Sequence, residues 1–204
     1  MSESASKSKK TGPINSGTTS SGTTSSGTKS SGGEKQSLRR QTIIEAALAC
    51  FLQYGYDKTT LEDIASRAGL SRPLLYLQFR NKEEIFLETT RSLYHEQFEA
   101  ARPILAQPID RKEKLNRIYE ELLLKPWTRI WKSPGSAGFL SACHHLSPQL
   151  DHEYEREAYK LLLPILGDRA VVELFLLCID GLYRDDPSPT VLRRRVRLLV
   201  ERFL

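Results

Sequence analysis

The chain has 204 residues, with 30 Lys and Arg against 25 Asp and Glu, a net charge of +5 and a pI of about 9.1. That excess is a poor nucleic-acid signal, because Lys7, Lys9, Lys10, Lys29 and Lys35 against Glu3 and Glu34 place +3 of it in the first 36 residues, and the remainder is nearly neutral. Three widely spaced cysteines (50, 143 and 178) argue against a disulfide framework, the longest strongly apolar run, Leu174–Ile179, is too short for a membrane span, and no apolar segment follows the N-terminal lysines, so a cytoplasmic protein without a membrane partner is expected.

Residues 1–36 are almost entirely Ser, Gly, Thr and Lys, with Met1, Ala5 and Ile14 the only aliphatic side chains. Such a segment buries too little apolar surface to offset its ordering entropy, and a disordered tail is expected. From Ser37 onward nearly every segment reads as helix. Ile43, Ile44, Ala47, Leu48, Phe51 and Leu52 form one apolar face, and Gly55 suits a helix C-terminal cap. A second helix opens at Thr60 with Asp63 three residues on, a capping-box arrangement, and ends at Gly69. A short third helix begins around Ser71 to Pro73, with Leu75 and Phe79 as its buried edge. Asn81 caps a fourth, which carries Ile85, Phe86, Leu93 and Phe98 to about Ala101, with Pro103 near its end.

Two short helices joined by a Gly turn, 60–79, form a helix-turn-helix unit, in which the first helix braces the second and the second lies in the DNA major groove. Ala65 lets the helices cross closely, and Gly69 can take a positive φ in the turn. The stretch from Arg39 to Glu88 resembles the N-terminal domain of TetR-family transcriptional regulators. The resemblance rests on Ile44–Phe51, Gly55-Tyr-Asp-Lys-Thr-Thr60, Ile64-Ala65, Ala68-Gly-Leu-Ser71, Leu75-Tyr76, Phe79 and Asn81-Lys-Glu-Glu84. It departs from the family at Pro73, where a small residue is common, and at Leu77 and Gln78, where an aromatic or His is common, which leaves the operator sequence open. The resemblance implies phosphate contacts from Tyr76 and Lys82. Thr60 and Ser71, at helix starts, are further candidates for phosphate. Arg72 and Gln78 suit guanine and adenine edges, and Leu74 and Leu77 suit thymine methyls.

The second half reads as helix over 111–124, as short helices or loops over 125–147 (broken by Pro126, Pro134, Gly135 and Gly138), and as helix over 149–163, ended or kinked at Pro164. Asp168 can cap a helix running to about Tyr183, and Ser188 or Pro189 can open the last one. No region shows sustained β alternation, so the fold class is all-α: a DNA-binding domain over 37–97 and a helical ligand-binding and dimerisation domain over 98–204. The apolar helix after Asp168 and the stripe on the last helix suggest packing against a second copy, which is also what the resemblance implies. Val172, Phe175, Ile179, Leu192, Val196 and Leu199 are the candidate contacts of a homodimer that would read an inverted-repeat, double-stranded DNA operator. The resemblance also implies a pocket for an unknown small-molecule effector, with Tyr94, Phe98, Tyr119, Trp127, Trp131, Phe139 and His144 as candidate lining. Cys143-His144-His145, with His152 nearby, raises a metal site, but adjacent helical ligands point about 100° apart, so neither a metal nor another cofactor is expected. No phosphate loop, Gly-x-Ser-x-Gly or His-Glu-x-x-His motif is present, and an enzyme is not expected. The favoured reading is a ligand-released repressor. The alternative is a ligand-binding or protein-interaction module of the same fold that does not read specific DNA.

Overall fold

The computed structural model describes residues 30–204, and among them there are helices and no strands. The expected disorder of residues 1–29 lies outside the described residues. The first helix, α1 (Ser30–Tyr54), begins seven residues before the expected start at Ser37. Residues 33–39 on it are exposed, so the extension is carried by local propensity, with Glu34, Lys35 and Gln36 as good helix formers.

The start signals read from the sequence hold at the next elements. Helix α2 (Leu61–Arg67) is capped by Thr60 with a reciprocal bond to Asp63. Helix α3 (Arg72–Tyr76) follows Gly69, whose φ of 66° occupies the left-handed region. Helix α4 (Lys82–Ala101) is capped by Asn81, whose side chain accepts from the Glu84 amide at 2.8 Å. A 3-10 turn over Arg102–Ala106 then absorbs Pro103.

Helix α5 (Arg111–Tyr119) runs without a gap through a π-helical turn (Glu120–Leu124) into α6 (Lys125–Trp131), where breaks were expected. Pro126 explains the π turn. It has no N–H to give the carbonyl four residues back, and that carbonyl, of Leu122, accepts from the Tyr154 hydroxyl at 3.3 Å instead. Helices α7 (Ser136–Leu146) and α8 (Pro148–Leu166) follow. Helix α8 continues past Pro164 to Leu166 and stops at Gly167, φ 81°. Pro164 and Lys160 are both exposed, so the carbonyl that proline leaves free faces water. Helices α9 (Arg169–Gly181) and α10 (Pro189–Phe203) close the chain, capped by Asp168 and Ser188 as expected.

Two cores result. The smaller gathers Ile43, Phe51, Ile64, Leu75, Phe79, Ile85 and Phe86 from α1 to α4. The larger gathers Phe98, Ile118, Tyr119, Leu162, Phe175, Leu192 and Val196 from α4 onward. Helix α4 serves both. Helix α7 crosses the expected boundary at residue 97: Phe139 and Ala142 belong to the smaller core, and the Phe139 ring lies 5.6 Å from that of Phe86. The Gly135 amide donates to the Leu52 carbonyl at 2.8 Å, so α7 starts against the end of α1. No described helix is long and apolar enough to cross a membrane.

Candidate nucleic-acid interface

The α2–α3 pair presents one face inward and one outward. Ile64, Ala65, Leu75 and Phe79 are buried, while Ser71, Arg72, Leu74, Tyr76 and Leu77 are exposed. Leu77 is 75% exposed, with Tyr76 at 46% and Leu74 at 37%, so the outward face of α3 is partly apolar. Helix α3 ends at Tyr76, earlier than expected, and Leu77 is its cap. Gln78 therefore lies just beyond the helix, half-buried, with its amide on the Leu75 carbonyl at 2.9 Å. Ser71 is the N-terminal cap residue, and its side chain makes no capping bond. Arg72 pairs with Glu62 at 3.4 Å across an exposed gap, a contact worth little in water. Its guanidinium is held more firmly protonated by the Tyr76 hydroxyl and by Glu62.

Two expected phosphate ligands are engaged inside the protein. The Lys82 ammonium donates to the carbonyls of Tyr56 (2.9 Å), Thr59 (3.0 Å) and Asp57 (3.3 Å) and stands 4.4 Å from the Tyr56 ring centre. All three of its protons are committed, so it shapes the α1–α2 turn rather than reaching outward. Lys82→Met is expected to destabilise the protein by about 2 kcal/mol, since hydrogen bonds from charged donors contribute more than neutral ones. An unchanged thermal midpoint would show that these bonds contribute nothing. The Thr60 hydroxyl likewise donates to the Asp63 carboxylate at 2.6 Å and accepts from the Asp63 amide at 3.1 Å.

Hydrogen bonds from Thr60 hold the Asp63 carboxyl below the usual carboxylate range. A lowered folded-state pKa stabilises the native state above the unfolded value, and that contribution is lost as pH falls through the lowered one. Thr60→Ala is accordingly expected to cost about 1 kcal/mol near pH 7. The gap in melting temperature from wild type should narrow as the pH drops below the carboxylate range. A gap independent of pH would assign the loss to something other than the cap.

The expected effector lining separates. Tyr94 and Phe98 meet on either side of Tyr154, with ring centres at 4.7 and 5.0 Å, Tyr119 packs on Phe175 at 5.4 Å, and Trp127 packs on Tyr183 at 5.7 Å. Burial raises the Asp151 carboxyl, toward which the Tyr94 hydroxyl points at 3.5 Å. Phe139 is instead in the smaller core and His144 is exposed, because α7 turns its apolar face to α1 and α4; Trp131, at the end of α6, is exposed as well. Tyr154 was missed, although it sits on the Leu150, Tyr154, Ala158, Leu161 stripe that faces inward on α8. His144 and His145 point to solvent, and no three His, Cys, Asp or Glu side chains among the described residues form a cation cage.

The subunit-contact expectation needs correction. Val172, Phe175, Leu192 and Val196 are essentially inaccessible and Ile179 nearly so, within the chain's own core, and only Leu199 is partly open. Side chains sealed inside their own subunit are not available to another. The opposite face of α9 carries exposed Ala170, Leu174, Leu177 and Gly181, a helical stripe with Leu174 and Leu177 at 54% and 73% exposure. Leu198 of α10 is also exposed, at 51%.

The sequence model of the tetR family of bacterial regulatory proteins matches residues 43–89, the segment that builds the smaller core and the exposed α3 face. Over these residues the chain matches the TetR family. A protein of Escherichia coli (strain K12) described as "Probable acrEF/envCD operon repressor" is 49% identical over 49 residues, 24% of this chain and 22% of that protein. The HTH-type transcriptional regulator TtgR of Pseudomonas putida is 37% identical over 101 residues, 47% of this chain and 48% of TtgR. The chain thus spans less than half the length of these curated relatives where it matches them. The likeness in fold is broader. The crystal structure of a TetR transcription regulator from Haloarcula marismortui superposes with a TM-score of 0.68 at 17% identity, covering 82% of this chain and 96% of that one. Sequence similarity to TetR relatives is therefore strongest over the helix-turn-helix segment, while the likeness in fold extends through the C-terminal helices.

Proposed function

We propose that this TetR-family chain is a sequence-specific transcriptional regulator, a repressor that binds an inverted-repeat operator as a homodimer and is released by a small-molecule effector. The observation that carries the reading is α3: Arg72, Leu74, Tyr76 and Leu77 point outward from a segment whose Leu75 and Phe79 anchor it from beneath. Arg72 is placed for a guanine edge, Leu74 and Leu77 for thymine methyls, and Ser71 and Tyr76 for phosphates. The dimer contact is assigned to the outer stripe of α9 with Leu198 of α10, and a two-fold pair would set two reading helices one DNA turn, roughly 34 Å, apart. The effector site is assigned to the aromatic group around Tyr94, Phe98 and Tyr154. A ligand preferring a conformation with wrongly spaced reading helices would lower operator affinity by population shift.

Residues 37–97 carry eight Lys and Arg and eight Asp and Glu, and this balance favours the second reading, a module of the same fold without specific DNA recognition. Selection of bound duplexes from a random pool at about 0.15 M salt separates the two, because weak phosphate attraction is screened there. Enrichment of an inverted repeat is expected. Arg72→Ala should then relax the preference at one position by roughly 1–3 kcal/mol. No enrichment by a folded dimer would favour the second reading.

A further inference from the structure

Helix α3 has little of its own to hold it. It is five residues long, its cap residue makes no side-chain bond, and the Arg72–Glu62 pair at its start is exposed. A single helical turn is not stable alone. Leu75 and Phe79 fix its depth, but two buried side chains on one edge leave rotation about that edge open. What closes it is a residue from α1. The Arg40 guanidinium donates to the Gln78 carbonyl at 2.8 Å, stands 4.1 Å over the Phe79 ring, and pairs with Glu88 of α4 at 3.4 Å. One side chain thus ties the exit of α3 to both neighbouring helices.

The three contacts need arginine. Its planar fork directs separate N–H groups to a carbonyl and a carboxylate while its face lies on an aromatic ring. An ammonium offers one centre and cannot satisfy all three at these positions. Gln78 is the point at which the chain leaves α3, directly after Leu77, so a shift at its carbonyl displaces both side chains. Recognition groups must be held within about 0.5 Å of the productive geometry to discriminate.

We propose that Arg40 is the positioning residue of the reading helix: it fixes the α3 exit against α1 and α4 and thereby sets how sharply Leu77 and Gln78 discriminate bases. It acts through α3 without touching DNA. The proposal rests on the DNA reading above. Arg40→Met keeps the apolar stem and loses the fork, and Arg40→Lys keeps the charge and loses the fork. Amide hydrogen exchange in the DNA-free protein, read on peptides covering residues 75–80, should quicken by about ten-fold in both variants. Peptides from α2 should not change. The affinity ratio between a selected duplex and a scrambled one should fall by about five- to ten-fold in both variants, while Arg40→Lys retains wild-type binding to the scrambled duplex.

Unchanged exchange in both variants would overturn the proposal, as would faster exchange with an intact affinity ratio, which would make Arg40 a structural tie only. A wild-type protein that enriches no duplex overturns it differently, by removing the DNA reading before any variant is made. Full rescue by Arg40→Lys of both exchange and affinity ratio would also overturn it, since charge alone would then suffice.

Discussion

Gly135→Ala is expected to lower stability by about 3 kcal/mol, a drop in melting temperature of about 6–12 °C for a chain of this size. A Cβ at that position would stand 2.2 Å from the Gly55 nitrogen, 2.8 Å from the Phe51 carbonyl oxygen and 2.9 Å from that of Leu52. All three are backbone atoms, so no side-chain rotation relieves the clash. Either α7 backs away from α1, or the end of α1 distorts. The first course withdraws Phe139 and Ala142 from the core beneath the reading unit and breaks the Gly135–Leu52 hydrogen bond. Gly138 is the next tightest point, with a Cβ at 3.1 Å from the Gly55 Cα, and Gly138→Ala should cost less. Gly33→Ala is the control. It lies in α1 with nothing within 4 Å of a new Cβ, and alanine there should be neutral or stabilising by up to about 1 kcal/mol. Chemical denaturation of the three variants orders them. If Gly135→Ala proved as stable as Gly33→Ala, α7 would not sit against α1 as closely as described.

Leu177→Arg is expected to convert a dimer to monomers without unfolding it. Leu177 is highly exposed in the single chain, so arginine there meets water and disturbs no core contact. In a two-fold interface the change occurs twice. Each lost leucine removes about 1.5–3 kcal/mol of burial, and the two new cations face or bury one another. The dimer dissociation constant should rise by at least on the order of 100-fold, read by sedimentation velocity across a dilution series. Phe175→Ala separates the two faces of α9. Its ring is fully buried between Tyr119 and Phe203, so truncation should cost about 3–5 kcal/mol in folding stability. A Leu177→Arg protein that stayed dimeric would move the subunit contact away from the outer stripe of α9. Loss of operator binding together with the dimer, in a folded monomer, is the expected consequence for DNA.

Much of the reading unit was legible in the linear chain because its signals are local. Capping by Thr60 and Asn81, like that by Asp168 and Ser188 in the C-terminal helices, depends on residues three positions apart, and the left-handed turns at Gly55 and Gly69 depend on one missing Cβ. Helical periodicity marked Ile43, Phe51, Ile64 and Leu75 as buried for the same reason: side chains three and four apart share a face.

Only the tertiary structure could decide which face meets which neighbour. Helix α9 is apolar on nearly every side, and periodicity does not say that Phe175 turns in while Leu177 turns out. Phe139 read as a pocket residue because its helix lies late in the chain, yet it packs on Phe86 of the reading unit, brought there by a backbone approach that only glycine at 135 permits. Lys82 and Arg40 show the same limit for charge. Their types suggest an outward role, but their partners are carbonyls 23 to 38 residues away. A sequence determines how each helix begins, ends and divides its polarity. Where the protons of a cation go, and which apolar stripe stays uncovered, depends on distances between segments that only folding sets.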